Sequence, residues 1–142
     1  METMTWPKAR ALDTAAGAGW GGLWSVMFTA QRAVGALVQV TSFTEGLDLI
    51  WLGEELRAAC DDVAVRHPAA VAVAVAADLG PLPDSAHATA GRAVVAGLLA
   101  AVICRADELL VDDPTGSDAR WLSGMTSLLF AARIHLSVAG ER

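Results

Sequence analysis

Chemistry in this 142-residue chain has few sources: three histidines, two cysteines and a set of acidic doublets. His67, His87 and His135 would make a facial metal site if the fold brought them together. Metal centres in helical bundles usually carry Glu-x-x-His or His-x-x-x-His on facing helices. This chain has neither, and the Asp-x-x-His of Asp84-Ser85-Ala86-His87 is most simply a helix N-cap. No metal and no cofactor is expected, His135 reads as a hydrogen-bonded flank residue, and convergence of the histidines stays open.

The acids come as Glu54-Glu55, Asp61-Asp62, Asp107-Glu108 and Asp112-Asp113. Neighbours on a helix point about 100° apart, so a doublet is no catalytic dyad and reads as a solvated face. Cys60 and Cys104 lack Cys-x-x-Cys spacing and are expected to be buried thiols acting as small hydrophobes in a reducing cytoplasm. Desolvation on an apolar helix would disfavour a Cys104 thiolate.

Gly17-Ala18-Gly19-Trp20-Gly21-Gly22 matches the letters of G-x-G-x-x-G. That fingerprint works only after a strand, with the next helix aimed at a pyrophosphate. Lys8 to Ala16 reads as helix instead, so the glycines are expected to form a bend or a close helix contact. No G-K-[ST] and no G-x-S-x-G occurs.

The aromatic residues are more suggestive. Trp20 and Trp24 lie one helical turn apart, Met27 and Phe28 follow, and Trp51 falls on the next helix. Core packing is the ordinary use of such residues. The sharper reading is an apolar pocket or partner surface, for which Trp and Met are favoured. The candidate ligand contacts are Trp20, Trp24, Met27, Phe28, Trp51 and His135.

Helices must position these residues. Thr5-Trp6-Pro7 opens the first, which either continues to about Thr41 or breaks at Gly17 to Gly22. Ser42-Phe43-Thr44-Glu45 has capping-box spacing. The stripe Leu49, Leu52, Leu56, Ala59, Cys60 and Val63 follows, and Pro68 stops that helix near Arg66. Between Ala69 and Leu79, Val alternates with Ala. A helix is expected there, with a short strand at 69–77 as the alternative.

Pro81-Leu82-Pro83-Asp84 reads as a turn and N-cap before a helix from Ser85 to about Val111. That helix has no charge between Arg92 and Arg105, so it is expected to be the central element, with Ala93, Gly97, Ala100, Ala101 and Cys104 admitting a close neighbour. Ser117-Asp118 caps the last helix, which runs to about Val138 with Gly140 as C-cap. Its core stripe is Leu122, Met125, Leu129, Ala132, Leu136 and Ala139, and Phe130, Ile134 and Val138 imply a second covering surface.

The expected fold is all-α: one domain over 1–142, a compact antiparallel bundle of four to five helices. The alternative is α+β with a short Val/Ala strand. Ten basic against sixteen acidic residues, a net charge of -6, leaves no footprint for nucleic acid. The longest uncharged stretch, Thr14 to Gln31, carries four glycines, two threonines, a serine and a glutamine, so no membrane span is expected.

The functional expectation is a non-enzymatic interaction or oligomerisation module that buries surplus apolar helix faces against itself or a protein partner. The alternative is a bundle that binds an apolar small molecule, or a cofactor-free enzyme, with a Trp-lined pocket.

Overall fold

The computed structural model describes residues 17–75 and 88–140, with side chains as far as Leu136 in the last helix. Five helices lie among the described residues: α1 Gly19–Gln39, α2 Phe43–Arg66, α3 Pro68–Ala72, α4 Ala88–Asp112 and α5 Ala119–Gly140. The protein is an all-α bundle.

Local chemistry fixes most of the helix ends. The glycine run bends the chain at its start, where Gly17 and Gly19 take positive φ of 78° and 74°, a region that side chains with a Cβ avoid. A Cβ on Gly22 would collide with the Gly17 carbonyl oxygen, so the bend also needs glycine one turn later. Of the two courses left open for this segment, a helix that runs unbroken through Gly17–Gly22 is not the one adopted: α1 begins at Gly19. The expected Thr5–Pro7 start lies outside the described residues.

At the other end of α1 the Thr41 hydroxyl donates to the Leu37 carbonyl at 2.7 Å. The Ser42 hydroxyl then accepts from the Glu45 N–H at 3.4 Å and caps α2. His67 N–H closes α2 onto Val63 at 2.7 Å, and Pro68 begins α3 in the opening turn, where its missing N–H would have no helical partner. The strand alternative at 69–77 fails over the described part: Pro68–Ala72 is helix and Val73 a turn, since no second extended segment is present there to pair with it. Residues 76 and 77, and the Pro81-to-Asp84 turn, lie outside the described residues.

α1 packs on α2 and on α4, and α4 packs on α5. Each neighbouring pair runs antiparallel: Arg105, late in α4, donates to the carbonyl of Gly17 just before α1. After α2 the chain is at the end of the bundle where α1 starts, and it re-enters as α4 at the opposite end. The bundle thus has short connections within its two hairpins and one long crossover between them. One buried apolar cluster draws on all four long helices, through residues such as Leu23, Leu56, Leu99 and Leu129, each worth roughly 2 kcal/mol of burial.

The central helix is α1, which corrects the expectation for α4. Ten α1 residues are buried, including the polar Ser25 and Thr29. Burial of these hydroxyls is tolerated because both donate to carbonyls, Thr29 to Ser25 at 2.9 Å and Ser25 to Val75. On α4, by contrast, Ala93, Gly97 and Cys104 face solvent, and a Cβ on Gly97 would meet nothing within 4 Å. No described helix uses that small-residue face. Phe130 and Ile134 on α5 are likewise half exposed. No described helix is long and apolar enough to cross a membrane.

Candidate functional site

Across the fourth side of the bundle, α2 and α5 face each other with their backbones apart, joined by side chains. The Trp121 indole N–H donates to Asp62 at 3.1 Å, and His135 Nε2 meets Asp48 Oδ2 at 2.6 Å. Fourteen residues separate the two contacts on each helix, so one antiparallel register holds over about 21 Å.

The gap opens into a cleft of about 890 Å³ at the end of the bundle holding the α1–α2 connection. Its volume suits a small molecule. Buried Leu49, Leu52 and Leu136 and half-buried Leu128 and Ala132 supply an apolar floor. Trp51, 54% exposed, stands on the rim. The charged groups are Glu45 and Asp48 from α2, Arg92 from α4 and His135 from α5. Asp48 is engaged by His135. Arg92 is half-buried and makes no hydrogen bond or ion pair with any described residue.

The six residues singled out by sequence separate into three places. Only Trp51 and His135 line the cleft. Met27 is fully buried in the core. Trp24 stacks on Phe28 with ring centroids 5.0 Å apart, and Arg32 covers the Phe28 ring at 6.0 Å. Trp20 stacks on the His67 imidazole at 4.0 Å, beside Trp121, at the far end of the bundle. Gly53 packs against Val34, which sets the α1–α2 register and puts Trp20 sixteen residues, about 24 Å, from the level of Trp51.

The histidines do not gather either. His67 and His135 sit at opposite ends of α2, bound to Asp118 and Asp48 respectively, and His87 lies outside the described residues. Among the described residues no three His, Cys, Asp or Glu side chains group as a metal site. Asp118 stands at the start of α5 with its carbonyl accepting from Leu122 N–H, while its carboxylate takes Arg66 and His67, each at 2.9 Å. Burial alone would raise the Asp118 carboxyl. Hydrogen bonds from Arg66 and His67, with their nearby charges, hold it below its ordinary value instead.

Of the two thiols, Cys60 is buried as expected. Desolvation, with some help from the Asp61 charge, pushes it up to about 12. Cys104 is exposed, contrary to expectation, because no described helix packs on the α4 face that carries it.

A separate feature lies on the outside of α2. Phe43, Leu47 and Ile50 are exposed at 75%, 50% and 41%, a solvent-facing stripe at helical spacing that meets the cleft rim at Trp51.

Sequence reasoning missed Arg92 and Asp48. The available signal for Arg92 was its isolation: it is the last charge before the uncharged run to Arg105. Set against known family models, curated proteins and solved structures, the chain matches none.

Proposed function

We propose that the protein is a non-enzymatic, small-molecule-binding helical bundle, and that the cleft between α2 and α5 holds an apolar ligand. The observation that carries this is the cleft: an apolar floor of Leu49, Leu52, Leu128 and Leu136 beside polar and charged groups that include Thr41, Thr44, Glu45, Asp48, Arg92 and His135. Concave sites that set apolar surface beside placed polar groups are the usual form of a small-molecule site.

Calorimetric titration with 1-dodecanol tests the reading. The wild type binds saturably, and Ala132→Trp, which places a large ring on the cleft floor, abolishes binding while keeping the helical circular dichroism signal. Unchanged binding in Ala132→Trp, or a wild type that binds neither 1-dodecanol nor any charged twelve-carbon amphiphile, contradicts it.

One observation favours a second reading, an interaction module that associates with a copy of itself: the exposed Phe43, Leu47 and Ile50 stripe. Apolar patches on a helix face often mark contact surfaces. Sedimentation at micromolar concentration should then show an oligomer that Leu47→Glu converts to monomer. A wild-type monomer at every concentration removes this reading. For the compartment we assign the cytoplasm, on the support of two free thiols, one of them exposed.

A further inference from the structure

Arg92 is the one charged residue of the cleft that is both half-buried and without a partner among the described residues. A guanidinium carries five N–H donors in a planar fork, and at Arg92 no nitrogen is sealed away from solvent, so the fork is open to a ligand entering the cleft. An ion pair with a flat two-oxygen acceptor satisfies two of the donors at once. The other charges of the cleft narrow the choice. Asp48 is already paired to His135, and the carboxylate of exposed Glu45 is well solvated, so neither needs a ligand cation. Both do add negative potential to the α2 wall, which penalises a second negative charge on the ligand. Beside Arg92 the floor is leucine, suited to an alkyl chain.

We infer that the ligand is a monoanionic amphiphile, a carboxylate with an unbranched apolar tail, whose head group pairs with Arg92 while the tail lies over Leu49, Leu52, Leu128 and Leu136. This rests on the reading of the cleft as a ligand site, and adds to it the ligand's charge and the residue that selects for it.

The test is calorimetric titration of the full chain with three twelve-carbon probes, dodecanoate and dodecyltrimethylammonium below their micellar concentrations and 1-dodecanol below its solubility limit. Wild-type protein should bind dodecanoate at least about tenfold more tightly than dodecanol, the size expected for a charge-assisted hydrogen-bonded pair. The cation should bind most weakly. Arg92→Gln should bring dodecanoate to the dodecanol value and leave dodecanol unchanged, and Arg92→Lys should keep part of the preference. Equal wild-type binding of dodecanoate and dodecanol, or tightest binding of the cation, overturns the inference and leaves the cleft reading intact. A preference that survives Arg92→Gln overturns it too. Failure of all three probes removes both. The three-probe comparison on wild type decides even if Arg92→Gln does not fold.

Discussion

Asp48 on α2 and His135 on α5 meet at 2.6 Å across the one side of the bundle where neighbouring helices do not pack closely. The pair stands at the cleft, and both side chains are mostly in water, at 64% and 73% exposure for His135 and Asp48. Exposed pairs of this kind contribute little, so His135→Ala should lower stability by no more than about 0.5 kcal/mol in urea unfolding. A loss of several kcal/mol would show that this contact, rather than the α1 core, holds α2 and α5 in place.

At the other end of the same interface, Asp118 is held below its ordinary value by Arg66 and His67 against the opposing effect of burial. A depressed folded-state value means that the unfolded chain takes up its proton first as pH falls. The resulting stabilisation is full above the unfolded value, about 3.9, and is lost as pH drops through the folded one. Asp118→Asn should therefore cost about 1 kcal/mol at pH 7 and flatten the fall of stability below pH ~4. Identical acid profiles for variant and wild type would contradict this.

The two thiols should differ sharply toward a disulfide reagent. Cys104 is exposed, whereas Cys60 is buried with its thiol pushed up to about 12, and only the thiolate reacts. Folded protein at pH 8 should give one fast thiol per chain, assigned to Cys104 by its loss in Cys104→Ser. The second should appear only in denaturant. Equal native rates for both would mean that α2 opens readily.

Two glycines in α1 should respond in opposite directions to alanine. At Gly22 the new methyl would run into the Gly17 carbonyl and the Arg105 side chain, so Gly22→Ala should destabilise by at least about 1 kcal/mol. At Gly35 a Cβ meets nothing within 4 Å, and Gly35→Ala should stabilise by about 0.5–1 kcal/mol through helix propensity alone. Thermal melts of the two variants decide it, and the same sign for both would refute the packing described at the glycine bend.

The helix ends were legible in the sequence because the signals there are local. Ser42 caps α2 and Pro68 stops it, whereas the glycine run left two courses open, and positive φ at Gly17 and Gly19 selects the bend. Depth of burial was not legible. Ala93 and Gly97 make α4 look uniformly apolar, yet such small residues gain little by leaving water, and no described helix covers them. Ser25 and Thr29 make α1 look more polar than it behaves, since their hydroxyls find carbonyls within the fold. The candidate site was half legible for a geometric reason. Trp20 and Trp24 stand in the opening turns of α1, whereas Trp51 comes soon after the hairpin turns back at Val40–Ser42, so it stays near the opposite end of the bundle from Trp20. Arg92 and His135 are 43 positions apart in sequence and meet the same cleft only through the α4–α5 hairpin.

The most direct test of the cleft is residue-resolved: amide chemical shifts of isotope-labelled protein followed through a titration with dodecanoate. Saturable shifts confined to Thr41, Leu52, Arg92, Leu128 and Leu136 are the expected result. Shifts confined to Trp20, Trp24 and Phe28, shifts along Phe130 and Ile134, or no saturable response at all would contradict the account.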